Sequence, residues 1–214
     1  MDTKHNDQIQ NRIDYIDIEA WNNFYIKHPQ GGPWDTVDFS PDEHVVDFIN
    51  YFDIKTGKVL DAGCADGRNS KYLLEQGLDV TGIDISEEVI TRTQKRFPNG
   101  TFIVKNIAEL DFNKEFDAVI DAGALHVNHP KVYRTVFENY YNALKENGKL
   151  FIRLFYHEKP EKIFGVRPSM PVYGLHDRDI NKLIEGLFVV KNSEYDPMYG
   201  AHMSGCNFLH MEKI

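Results

Sequence analysis

Residues Lys58 to Ser70 read KVLDAGCADGRNS, an apolar strand running straight into a glycine-containing turn ahead of a helix. The next apolar run, ending TGIDIS, finishes on Asp84. A glycine turn after one strand and an acid after the next is how an α/β sheet holds an adenosine cofactor at the carboxyl ends of its strands. A dinucleotide fingerprint needs Gly-x-Gly-x-x-Gly, because its second glycine lets the backbone approach a pyrophosphate. Here Ala65 takes the second position and Arg68 the third, so only Gly63 and Gly67 remain, preceded by Asp61. The pattern suits an adenosine-bearing cofactor without a pyrophosphate.

From Gly57 onward, strand and helix alternate. Spacing and turn residues predict strands at 58–61, 78–85, 101–105, 116–121, 149–156, 187–195 and 207–213. Helices are predicted at 69–76, closed by Gly77, from Ser86 as N-cap, at 130–144, and from about Asp177 to Gly186. Such alternation means parallel pairing with right-handed crossovers. Upstream, Ile9, Ile13, Ile16, Ala20 and Phe24 have the spacing of an amphipathic helix over about 8–26. Ser40-Pro41-Asp42-Glu43 fits a helix start with Ser40 as N-cap and Glu43 completing a capping box, the helix running to about Phe52. Residues 1–56 therefore read as a helical cap or lid, and 57–214 as the cofactor-binding domain, the whole forming one structural unit. Residues 157–176 read as an irregular insert over the site.

The phrase VLDAGCADG with Asp84 at its proper interval resembles motif I of the S-adenosylmethionine-dependent methyltransferases of class I. The resemblance implies a Rossmann-like, doubly wound sheet of seven strands, mostly parallel with an antiparallel last strand, and helices on both faces. It also implies S-adenosyl-L-methionine as the cofactor. Asp61 then meets the methionine ammonium, Gly63, Cys64, Ala65 and Gly67 form the turn with Asn69 beyond it, and Asp84 with Ile85 takes the ribose hydroxyls. Asn106 meets the adenine amine and Ile107 packs on the ring. Asp121, Ala122 and Gly123, after strand four, complete the cofactor contacts at the place where the methyl acceptor approaches. Cys64 reads as a small turn residue, since acidic neighbours raise a thiol's pKa.

The Asp-x-Gly-Ala-Leu segment and the Gly-Pro-Trp-Asp turn resemble the thiopurine and tellurite-resistance-type branch, whose acceptors are small molecules. Tyr25, Trp34, Phe164 and Tyr173 fall in segments that roof such a site, where aromatic faces attract a sulfonium. Thiopurine methyltransferases often carry arginine where this chain has Ala122, which puts thiopurine-like specificity in doubt. His126 is the catalytic candidate, as general base or as a wall of the acceptor pocket. Arg153, Arg167, Tyr173 and His202 are candidates for acceptor binding, with a structural ion pair the alternative for Arg153. The expected acceptor is a sulfur, chalcogen or halide nucleophile. The rivals are O-, N- or C-methylation of another metabolite or a protein side chain, and a nicotinamide-dependent oxidoreductase.

Neither the Asn/Asp-Pro-Pro-Tyr motif of base-amine methyltransferases nor a metal-binding Asp-Asn pair after strand five is present, so no metal is expected. A net charge of -9 argues against a general grip on nucleic acid or anionic lipid. Two cysteines are too few for a disulfide framework, and no apolar run suits a membrane span or a secretory signal. The expectation is a cytoplasmic monomer or homodimer.

Overall fold

A computed structural model describes residues 16–32, 39–156, 162–167, 170–197 and 205–214, with residues 162–167 described by their backbone. Seven strands form one sheet in the order β3-β2-β1-β4-β5-β9-β8. They are β1 (Lys58–Ala62), β2 (Asp79–Asp84), β3 (Thr101–Val104), β4 (Phe116–Asp121), β5 (Leu144–Phe155), β8 (Phe188–Asp196) and β9 (Cys206–Lys213). β1 to β5 are mutually parallel, and β9 runs antiparallel between β5 and β8. This is the mostly parallel, Rossmann-like sheet with an antiparallel last strand that the sequence led us to expect.

Alternate residues of each central strand feed opposite faces, as a sheet covered on both sides requires. Val59, Ala118, Ile120, Phe151 and Phe208 pack with α2 (Glu43–Tyr51) and α3 (Arg68–Glu75), through Val45, Phe48, Ile49 and Leu73. Leu60, Val119, Leu150, Ile152 and Leu209 pack with α5 (Tyr133–Ala143) and α6 (Asp177–Ile184), through Val136, Phe137, Tyr140 and Ile180. α4 (Glu87–Arg96) lies beside β2 and β3, held at its start by the Ser86 side chain on the Val89 amide at 3.4 Å.

Several boundaries differ from the sequence reading, each for a local reason. The first helix, α1, is Ile18–Lys27, because Asp17 is extended and its carboxylate accepts the Ala20 amide at 2.9 Å. Ile16 precedes that cap, and residues 8–15 of the expected segment lie outside the described residues. Asp42, not Ser40, caps α2, since its carboxylate takes the His44 amide at 3.1 Å. The expected helix at 130–144 begins as a 3-10 turn, Pro130–Val132, before α5. β5 starts at Leu144, with a register shift against β4 between Phe116 and Ala118. The expected irregular insert contains a hairpin of β6 (Lys162–Arg167) and β7 (Met170–Tyr173). In β7, Met170 and Val172 are buried while Pro171 and Tyr173 are half-buried, a two-residue alternation that an unstructured loop lacks.

Gly67 shows how tightly the turn after β1 is built against α4. Its φ is +87°, and a Cβ there would lie 2.8 Å from the Thr93 and Phe97 side chains. Gly67→Ala combines left-handed strain with an overpacked contact, so we expect a loss of about 2–4 kcal/mol. Urea unfolding followed by circular dichroism checks this; an unchanged midpoint contradicts the packing described.

Candidate active site

The chain winds from β1 outward to β3 and then crosses to β4, so the order reverses between β1 and β4. Ligands of open α/β sheets sit at such a reversal, beyond the carboxyl ends of the strands. Three of those ends carry acids: Asp61 on β1, Asp84 on β2 and Asp121 on β4, all buried.

The turn between β1 and α3 folds back on itself. The Gly63 and Cys64 amides both donate to the Ile83 carbonyl at 2.8 Å, and the Gly67 amide donates to the Cys64 carbonyl at 2.9 Å. Ala65 has a φ of +48°, and its amide donates to the Asp84 carboxylate at 3.2 Å. Four N–H groups of the turn are thus committed inside the protein, whereas a pyrophosphate is bound by such groups aimed at the ligand. A Cβ on Gly63 would come 2.6 Å from the Ala124 Cβ, so this glycine is needed for contact with the loop after β4. Cys64 is buried with Ile90 and Phe102, where burial and the neighbouring acids push its thiol well above the usual range. Asn69 accepts the Asp42 amide at 2.9 Å. Ile85 is half-buried beside Asp84.

Asp84 accepts the Ser86 amide at 3.0 Å besides that of Ala65, and Asp61 accepts the Ser70 hydroxyl at 2.6 Å. Asp121 is different. It accepts the Gly123, Ala124 and Leu125 amides at 2.6–3.2 Å and the Tyr140 hydroxyl at 2.8 Å. A carboxylate with four protein donors and no exposed surface organises its own loop. Asn106 caps the 3-10 turn Ile107–Glu109 by accepting the Ala108 amide at 3.0 Å, and its oxygen keeps a second lone pair. Ile107 is buried beside Ala62 and Ile83.

On the acceptor side, Ala122 and Gly123 face β5. Arg153 donates to the Ala122 carbonyl and pairs with Asp42 at 2.7 Å. Its guanidinium and the His126 ring both border the open side of Gly123. His126 lies 4.3 Å from Phe155 between ring centroids, and His129 lies 5.5 Å from Tyr173. Tyr25 on α1 packs with Phe24, Val89 and Met170, bringing the cap helix, α4 and the hairpin together. Trp34 and His202 lie outside the described residues, as do the side chains of Arg167 and Phe164.

The sequence reading missed a second ion cluster. Asp66, in the same turn, is gripped by Arg92 at 2.7 and 2.9 Å and by Arg96 at 3.1 Å, while Arg92 also donates to the Tyr25 carbonyl at 3.1 Å. No spacing in the chain announces that pair; only the four-residue interval of the arginines hints at a shared helix face.

Residues 59–148 match the family model for a methyltransferase domain. That match likens this segment, somewhat less than half of the chain, to methyltransferase domains. An uncharacterized methyltransferase of Schizosaccharomyces pombe is 42% identical over 73 residues, 32% of this chain and 50% of that protein. The chain spans about half the length of the first curated relatives it matches. Among solved structures, the 1,6-didemethyltoxoflavin-N1-methyltransferase of Burkholderia thailandensis, with 1,6-didemethyltoxoflavin and S-adenosylhomocysteine bound, superposes with a TM-score of 0.68. It is 24% identical, and the match covers 80% of this chain and 76% of that one. A TehB-like methyltransferase from Corynebacterium glutamicum gives a TM-score of 0.63 at 20% identity, covering 92% and 98%. These likenesses are of fold.

The methyltransferase domain's acids fit its cofactor on the chemistry of their surroundings. Burial pushes both Asp61 and Asp84 up to about 6, with the Ser70 hydroxyl opposing it at Asp61 and the backbone amides of Ser86 and Ala65 at Asp84. Neither has the full set of donors that Asp121 has. A ligand bringing an ammonium and two hydroxyls supplies what they lack. No group of three or more His, Cys, Asp or Glu side chains is placed to hold a metal ion among the described residues. No described helix is long and apolar enough to cross a membrane.

The raised pKa of Asp61 has a measurable sign. The folded empty protein holds this proton more tightly than the unfolded chain, so the associated stability is complete below pH 4 and lost as pH rises towards 6. Asp61→Asn removes the buried charge while keeping an acceptor for Ser70. We expect it to stabilise the empty protein by about 2–3 kcal/mol at pH 8, the gain vanishing near pH 4, and to weaken S-adenosylhomocysteine binding. Thermal melts across pH with calorimetry check both; an equal gain at both pH values contradicts the linkage.

Proposed function

We propose that this protein methylates a small-molecule acceptor that is already nucleophilic at neutral pH: a sulfur, chalcogen or halide nucleophile. The carrying observation is His126. Burial, reinforced by the Arg153 charge, pushes its imidazole down to about 3. The ring is neutral at physiological pH, but it is a poor proton acceptor. Taking a proton from a phenol of pKa about 10 onto such a ring is roughly 9 kcal/mol uphill. General-base work at that cost is a weak strategy, so His126 is a wall of the acceptor pocket with Phe155 and Tyr173. A thiolate, hydrochalcogenide or halide needs no base.

In this reading Asp84 accepts the ribose hydroxyls, Asp61 the methionine ammonium and Asn106 the adenine amine, while Ile107 and Ile85 lie beside the ring and ribose. The bound cofactor supplies an electrophilic methyl on a sulfonium that departs as a neutral thioether. The chain's own part is to hold, orient and dry. Gly63 and Gly67 set the turn, Tyr25, Trp34 and Tyr173 provide aromatic cover, and the loop organised by Asp121 fixes the direction of approach. Arg153, with Arg167 and His202, favours an anionic acceptor. The structurally similar Burkholderia enzyme holds a small heterocycle, which supports a small molecule as acceptor.

The test is methyl transfer from labelled S-adenosylmethionine to iodide, hydrosulfide, tellurite, 4-nitrothiophenolate, a phenol and a lysate protein fraction. We expect turnover of the pre-ionised nucleophiles, and His126→Gln should keep kcat for 4-nitrothiophenolate within about tenfold with the same pH profile. Labelling confined to phenols or proteins overturns the acceptor assignment, as does a pH profile that loses its acidic limb in His126→Gln.

A further inference from the structure

We propose that Asp42 is a positioning residue that locks the donor turn to the acceptor wall. It sits just ahead of α2, outside both motifs, yet it is only 5% exposed. One carboxylate oxygen accepts Arg68 at 3.0 Å and Arg153 at 2.7 Å. The other accepts the His44 amide, and the Asp42 amide itself donates to Asn69 at 2.9 Å. Arg68 and Asn69 directly follow Gly67, the last residue of the donor turn. Arg153 reaches from Asp42 to the Ala122 carbonyl and borders Gly123 and His126. A single buried oxygen therefore sets the distance between the end of the donor turn and the loop where the acceptor approaches.

An N-cap alone needs none of this. Serine or asparagine caps a helix equally well without a charge, whereas here the charge is shared by two guanidiniums from elements far apart in the chain. Transfer rates fall steeply when reacting atoms are misplaced, so a device that fixes the donor turn against the acceptor loop acts on acceptor use and leaves donor affinity alone. The proposal rests on the reading of the loop after β4 as the acceptor wall.

Asp42→Asn keeps the cap and the shape but removes the charge; Asp42→Ser serves if that variant does not fold. S-adenosylhomocysteine affinity by calorimetry should stay within about threefold, while kcat/KM for 4-nitrothiophenolate falls about tenfold or more, mainly through kcat. In an Arg153→Met background the same Asp42 substitution should cost nothing further, because the effect runs through Arg153. A second readout needs no turnover: amide exchange at Gly123, Ala124 and Leu125 should rise about tenfold or more in Asp42→Asn, with that of Ala65 unchanged. Equal losses of donor affinity and acceptor kcat/KM, additive costs in the Arg153→Met background, or unchanged exchange at Gly123–Leu125 each overturn the proposal. If the wild type methylates none of these acceptors but the exchange pattern holds, the acceptor reading fails and the lock stands.

Discussion

Burying carboxylates at the ends of parallel strands is the constraint around which this molecule is arranged. A buried acid must find donors or take up a proton. Asp121 finds four donors inside the protein and becomes part of the framework. Burial raises the pKa of all three, but Asp61 and Asp84 find fewer donors, are pushed up to about 6, and so remain incomplete until something else arrives. Donor supply, more than the identity of the acid, separates a structural carboxylate from a binding one here.

The same logic explains the turn between them. Its amides are spent on Ile83, Cys64 and Asp84, so the backbone offers little to a phosphate and the acids are left facing the crevice. An adenosine with an ammonium suits such a surface, and a pyrophosphate does not. The arginines that approach the region pair directly with Asp42 and Asp66, although Arg68 also lowers the pKa of Asp61 against the larger effect of burial.

Much of this was legible in the sequence because it is local. The strand before Gly63, the cap at Ser86 and the end of β2 at Asp84 follow from periodicity and turn chemistry within a dozen residues. The sheet's seven strands were legible for the same reason. What was not legible depends on contacts between distant residues. Asp42 and Arg153 are separated by 111 positions, and no spacing rule joins them. The role of Asp121 turned on Tyr140, and the basicity of His126 on its burial against β5, neither of which residue type discloses. The hairpin at 162–173 was obscured by Gly and Pro, which read as breakers until β7 was seen to alternate.

The contact between Gly63 and Ala124 carries a consequence for how this protein can change. The donor turn and the acceptor loop are keyed together through a glycine and a methyl group with no room to spare. Enlarging Ala124 to reshape the acceptor pocket would displace the turn that holds the donor. Diversification towards new acceptors is therefore channelled away from that loop and towards walls of the pocket that do not touch the donor turn.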